Sequence, residues 1–301
     1  MKRREFMLSG AALAAGTLVM RSAAAAPAGH VEEKGSALMP PVTDRIKTLT
    51  IKGTVIGEGK PKLIVPTTAT TPGDALAAVK KYAGNPAIQV VELRIDTLRD
   101  TPDNAAIAAL TREAWALLPD QALLVTFRTK AEGGNRAISD DDYAALYREI
   151  ITHGKADLLD IEMFRGEAQV KALVALAHQA NMAVVMSSHD YRKTPSAEEI
   201  ITRLRRQQAL GADVLKIAAM PQDSGDVLRL MSATWEMHSR YAERPLLTMA
   251  MSGTGVVSRL AGELTGSALT FGMVGEASAP GQIEADDLSR VLNIIHTANQ
   301  A

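Results

Sequence analysis

From residue 62 onward the chain repeats one pattern eight times: a short apolar run suited to a buried strand, then a longer stretch with helical periodicity. The strand-like runs cover residues 62–66, 90–96, 122–128, 158–163, 183–189, 214–220, 245–251 and 268–274. Amphipathic helices are expected over 71–83, 104–117, 141–152, 167–179, 196–210 and 223–242, with a shorter one over 256–263 and a last one over 286–298. Strands that alternate with helices need crossover connections, so the strands run parallel and helices cover the sheet. Eight such units in about 250 residues specify an α/β chain folded as a (β/α)8 TIM barrel. A doubly wound open sheet is the alternative, but it usually carries a glycine-rich phosphate turn after its first strand. Here Val65-Pro66-Thr67-Thr68-Ala69 stands at that place. Residues 49–56, followed by Gly57 and Gly59, predict an extra strand that pairs ahead of the first barrel strand and closes its bottom. The barrel domain is therefore expected over residues 46–301.

The chain before it has a different character. Met1-Lys2-Arg3-Arg4-Glu5-Phe6 precedes a weakly apolar stretch, residues 8–20, and then Ala23-Ala24-Ala25-Ala26. A positive n-region, a short h-region and small residues at the end form an export signal, expected over residues 1–26 with cleavage after Ala24 or Ala26. Arg-Arg-x-Phe before an Ala- and Gly-rich h-region resembles the twin-arginine type, which makes the twin-arginine machinery a partner and the periplasm the destination. The h-region is too short to span a bilayer, for which about 20 residues are needed, so no stable membrane anchor is expected. Residues 27–45 read as a linker. Loss of the signal removes Lys2, Arg3, Arg4, Arg21 and one acid, Glu5, which leaves a mildly acidic chain.

Composition excludes several classes. Lys and Arg total 33 against 34 Asp and Glu, with no basic stripe among aromatics, so nucleic acid is not an expected partner. The chain has no cysteine, which rules out disulfides, thiolate metal sites, a Cys nucleophile and a lipid-modified cysteine. No His or Cys pairs have metal-ligand spacing, so neither metal nor cofactor is expected.

In a barrel, chemistry gathers at the C-terminal ends of the strands. The unusual residues of this chain fall there. Lys216 lies inside the apolar run Val214-Leu215-Lys216-Ile217-Ala218, where an ammonium is costly unless paired or deprotonated. Its head either snorkels out, pairs with a carboxylate, or is a neutral amine fit for Schiff-base chemistry. Glu92, Arg94 and Asp96 alternate along one strand face. Arg128, Asp160, Glu162 and His189 end later strands, and Arg259 follows the seventh. Nearby cations and a low dielectric are expected to lower the Lys216 pKa. A neutral amine attacks a ketone, the iminium acidifies the adjacent C–H, and a neutral histidine removes that proton. Arg259, read as exposed, suits capture of a carboxylate. Asp160-x-Glu162 is read as holding basic neighbours. The implied substrate is an anionic, hydroxylated ketone.

Taken together, Glu92-Leu-Arg-Ile-Asp96, Thr126-Phe-Arg128, Glu132-Gly-Gly134, Asp160-Ile-Glu162, Ser187-Ser-His-Asp190, Lys216-Ile-Ala-Ala-Met-Pro-Gln222, Ser258-Arg-Leu-Ala-Gly-Glu263 and Ala277-Ser-Ala-Pro-Gly-Gln282 resemble the type I 3-dehydroquinate dehydratases from about Thr48 to the C-terminus. The resemblance implies a metal-free, cofactor-free barrel, usually a homodimer, that converts 3-dehydroquinate to 3-dehydroshikimate. It implies Lys216 as the Schiff-base lysine and His189 as general base and acid. Glu92, Arg94 and Arg128 then contact substrate hydroxyls, while Arg259, Ser278 and Gln282 grip the carboxylate end. Export favours quinate catabolism over biosynthesis. Another lysine-dependent enzyme of the class I aldolase kind, or a non-catalytic periplasmic binding protein, are the competing readings. Three departures stand out: Ser188 where the family usually has Asn, Pro66-Thr67 in place of a substrate-touching serine, and residues 252–255 without the usual loop lysine.

Overall fold

The computed structural model describes residues 45–99 and 103–301. The signal expected over 1–26 and, Arg45 apart, the linker expected over 27–45 lie outside these residues. The first described elements are β1 (Leu49–Ile51) and β2 (Thr54–Ile56), which pair only with each other, antiparallel. One strand was expected here; the chain instead turns at Lys52 and Gly53, both at positive φ, 46° and 80°. That is the two-residue turn whose twist suits a hairpin. The hairpin still closes the bottom of the barrel: Ile56 is fully buried in the interior core, with Leu49 and Ile51 packed on it. Lys52 Nζ donates to the Leu118 and Gln121 carbonyls and pairs with Asp157 at 3.1 Å, at the N-terminal ends of two barrel strands.

The barrel follows as β3 (Lys62–Pro66), α1 (Pro72–Tyr82), β4 (Val90–Arg94), α2 (Asn104–Ala116), β5 (Ala122–Thr126), α3 (Asp140–His153), β6 (Leu158–Glu162), α4 (Glu167–Gln179), β7 (Ala183–Asp190), α5 (Ala197–Ala209), β8 (Val214–Ala219), α6 (Ser224–Arg240), β9 (Leu246–Ala250), α7 (Val256–Leu260), α8 (Gly262–Thr265), β10 (Leu269–Phe271) and α9 (Ala285–Asn299). All seven ladders from β10 through β3 to β9 are parallel. Closure between β9 and β10 is a single bridge, Leu246 to Ser267, with Ala268 N donating to Leu246 O at 2.7 Å. Side-chain caps start the helices where the sequence supplies them: Thr71, Asp103, Ser139, Ser196 and Asp223 each accept a first-turn N–H. Each such cap contributes about 1 kcal/mol.

Alternation divides the core in two. Outward residues such as Leu93, Val125, Ile161 and Ile217 pack under the helices. Inward residues Ile64, Val90, Leu124, Leu158, Val185, Val214, Leu247 and Leu269 fill the barrel. Several strands end earlier than expected; past Thr126 a side chain takes the place of the ladder, Arg128 N donating to Asp96 Oδ1 at 3.1 Å. The helix expected over 256–263 breaks at Ala261. Thr270 Oγ1 takes the Arg259 carbonyl at 3.0 Å, and Gly262 packs so tightly on Pro61 and the Ser267 carbonyl that a Cβ would come within 2.7 Å of both.

Candidate active site

Two residues above the apolar filling, the inward positions become polar. Val90 is succeeded by Glu92, Leu124 by Thr126, Leu158 by Asp160, Val185 by Ser187 and Val214 by Lys216, all buried. A pocket opens above them at the C-terminal ends of the strands. Glu92, Arg94, Arg128, His189, Lys216, Arg259, Ser278 and Gln282 all line it, so the eight expected site residues come together. Met249, Met251, Phe271 and Tyr191 supply its apolar wall.

Lys216 Nζ lies 2.7 Å from Asp160 Oδ2 and 4.9 Å from the centre of the Phe271 ring. Of the readings open for this lysine, pairing with a carboxylate is what its nearest charged neighbour shows, and the cation Arg128 shares that carboxylate. Asp160 serves two cations, since Arg128 Nη2 also sits 2.7 Å away, and it accepts from Ser187 Oγ at 2.6 Å. Burial would raise the Asp160 carboxyl, but Arg128, Lys216 and His189 outweigh it and hold it well below the usual carboxylate range. Arg128 also pairs with Glu162 at 2.9 Å. Burial works against its charge, yet Asp160, Glu162 and Glu132 raise it well above the ordinary value. The reading of Asp160-x-Glu162 as a cradle for basic neighbours holds. Two buried tyrosines of α3 fix the strand that carries it: Tyr147 donates to the Asp160 carbonyl at 2.5 Å, and Tyr143 accepts from Glu162 N at 3.2 Å.

His189 Nδ1 is 2.8 Å from Glu132 Oε2. Glu132 sits on the short 3-10 turn Lys130–Glu132, which ends at Gly133 with φ 86°. Burial, Arg128 and Lys216 push the imidazole well below its ordinary pKa, with Asp160 opposing. Burial and Glu162 push the Glu132 carboxyl up to about 8, against Arg128. The orienting partner of the histidine is thus Glu132, which sequence spacing gave no reason to place beside a residue 57 positions later. Ser188 faces the outer layer instead, and its buried hydroxyl has no hydrogen-bond partner among the described residues. The departure at Ser188 therefore lies on the side of the strand away from the pocket.

Arg259 differs from the expected exposed guanidinium. It is 1% exposed, on α7, and donates to the Pro280 carbonyl at 3.1 Å. Burial lowers it to about 10, Tyr191 opposing. Arg94 pairs with Asp96 at 2.8 Å, and Arg128 and Lys216 have their own carboxylates. Among the described residues Arg259 is the pocket cation that lacks one, and its Nε has no partner. Beside it, Ser278 N donates to Gln282 Oε1 at 2.8 Å and Gln282 Nε2 donates to Ser278 Oγ at 3.0 Å. Gly281, at φ 80°, lets this loop press on residue 252, where a Cβ would fall 2.1 Å from the Ser252 carbonyl. Thr67 and Thr68 do not line the pocket: Thr67 Oγ1 accepts from Arg94 N at 3.1 Å, and Thr68 Oγ1 reaches Glu276 at 3.4 Å.

A buried lysine facing the mouth of a (β/α)8 barrel, beside a histidine–carboxylate pair and an arginine that has no carboxylate among the described residues, is the arrangement of a barrel enzyme's active site. The family model described as type I 3-dehydroquinase matches residues 63–299. A 3-dehydroquinate dehydratase of Salmonella agona is 47% identical over 253 residues, covering 84% of this chain and all of that protein. The structure of the type I 3-dehydroquinate dehydratase of Clostridium difficile, solved with covalently modified comenic acid, superposes with a TM-score of 0.81 at 42% identity, over 84% of this chain and 99% of that one. The Geobacillus kaustophilus 3-dehydroquinate dehydratase gives 0.80 at 31% identity, over 85% and 98%. The chain belongs to the type I 3-dehydroquinase family and is a hydro-lyase.

Proposed function

We propose that the protein removes water from 3-dehydroquinate to give 3-dehydroshikimate through a Schiff base on Lys216. The observation that carries this reading is the convergence of Lys216, the His189–Glu132 pair and the unpaired Arg259 on one pocket. Lys216 adds to the ketone carbon as the free amine, its ammonium proton having passed to solvent. The carbinolamine that forms takes up a proton from solvent and loses water to give the iminium. His189, kept neutral by burial and by Arg128 and Lys216, takes a proton from the adjacent carbon. The electron pair left behind expels the hydroxyl from the next carbon, and the same imidazole returns the proton to it. Hydrolysis of the iminium consumes one water and restores Lys216, so one water leaves the substrate overall. Glu92, Arg94 and Arg128 hold ring hydroxyls, and Arg259, Ser278 and Gln282 hold the carboxylate. The test is direct: purified protein and 3-dehydroquinate should give the absorbance of a conjugated enone, and no turnover would overturn the assignment.

The site of action rests on the N-terminal residues alone. Arg3-Arg4 before an Ala-rich stretch supports export of the folded protein by the twin-arginine route, and a periplasmic enzyme suits catabolism of external quinate. Residues 1–30 fused to a reporter should be exported, and export that survives Arg3→Lys/Arg4→Lys would contradict the route. The protein acts as a homodimer in this reading, supported by the exposed apolar Leu228 and Trp235 two turns apart on α6. Sedimentation showing a monomer at micromolar concentration would contradict the dimer.

A further inference from the structure

One wall of the pocket has no part in the chemistry above. Tyr191 lies two residues past His189 and stacks on it, with ring centroids 6.5 Å apart and planes 24° from parallel. The same ring presses on Gly133, where a Cβ would fall 2.2 Å from Tyr191 Cε2 and 2.4 Å from Cζ. Only glycine, already required there by φ 86°, leaves the ring its place. The ring thus has backbone against it and an imidazole beside it, and is 37% exposed at the rim.

Its hydroxyl is different. Among the described residues it makes no hydrogen bond, although the side chain lines the same pocket as Arg259, Ser278 and Gln282. Tyr191 reaches this pocket from the segment after β7 and Arg259 from α7, so the two side chains line one cavity. A phenol donor without an acceptor thus sits near a buried cation without a carboxylate. A bound carboxylate answers both. Its two oxygens offer about four lone-pair directions, of which a bidentate guanidinium uses two.

We propose that Tyr191 is a substrate-binding residue whose hydroxyl donates to the same carboxylate that Arg259 pairs with, the ring being held for that purpose by Gly133 and His189. This rests on the reading that 3-dehydroquinate binds with its carboxylate at Arg259, and it adds a second anchor to that end. The hydroxyl then acts on affinity for the anion, while the ring alone serves the packing around the imidazole.

Tyr191→Phe separates these, because it keeps the ring. KM for 3-dehydroquinate should rise about tenfold, the weight of one hydrogen bond to a charged group, with kcat changed less than about twofold. Inhibition by the product 3-dehydroshikimate should weaken by the same factor. The matching dihydroxy-enone that lacks the carboxylate should bind wild type and variant equally. An unchanged KM in a variant whose wild type turns over would overturn the role of Tyr191 alone, as would equal weakening of the acid and the carboxylate-free enone. A wild type that forms no product from 3-dehydroquinate would overturn the functional reading and this one with it.

Discussion

One step up the same strands, the barrel interior changes from Val90, Leu158 and Val214 to Glu92, Asp160 and Lys216. Both layers are almost completely shielded from water, yet they hold together by different means. The lower layer is apolar contact sealed from below by Ile56 of the hairpin, and its contribution follows the area removed from water. In the upper layer burial works against the charges of Asp160 and Arg128, and opposite charges beside them keep both ionised. Asp160 is shared by two cations, Glu132 is pushed up to about 8, and His189 is pushed down. Such a layer adds little net stability, since desolvation offsets most of the attraction. What it supplies is charged and polar side chains positioned by their partners on well-packed strands.

Substitutions one layer apart should therefore fail in different ways. Lys216→Met removes the amine and keeps the stem; turnover should fall by at least about 10⁴-fold while the fold persists by circular dichroism. A variant retaining a tenth of wild-type activity would remove the lysine from the chemistry. Leu158→Ala, one inward position below Asp160, should instead cost about 2–5 kcal/mol in denaturant unfolding, with kcat of the folded fraction close to wild type. A large loss of kcat without loss of stability would show that the layers are not separable.

The smallest effect concerns protons. The base-competent form of the pair has Nδ1–H donating to a Glu132 carboxylate, with Nε2 free. Below about pH 8, the value to which Glu132 is pushed up, the pair holds one proton more. kcat/KM should therefore rise with pH, about tenfold per unit, and level off above about 8. Glu132→Gln should remove that limb from the profile. An identical profile in wild type and variant would assign the ionisation elsewhere.

The two layers were also unequally legible. Apolar runs and helical periodicity place every barrel strand and, for 167–179, a helix to the residue, because these features are local. Lys216 stands out because a charge inside an apolar run is itself a signal, and His189 and Arg259 because they end or follow such runs. Their partners do not. The Asp160–Lys216 and Glu132–His189 pairs join residues 56 and 57 positions apart, and only closure of the barrel brings them together. Arg259 looked exposed because a loop after a strand usually is; the break at Ala261 and the loop carrying Ser278 and Gln282 bury it. The hairpin looks like one strand in sequence because Lys52 is an unusual residue for a left-handed turn position. Tyr191 followed His189 without any pattern to mark it.

Reduction with borohydride in the presence of 3-dehydroquinate, followed by peptide mass mapping, bears most directly on the role of the upper layer. A single adduct on the peptide containing Lys216, absent without substrate, is the expected result. No adduct under turning-over conditions, or an adduct on a lysine outside the barrel mouth, would contradict it.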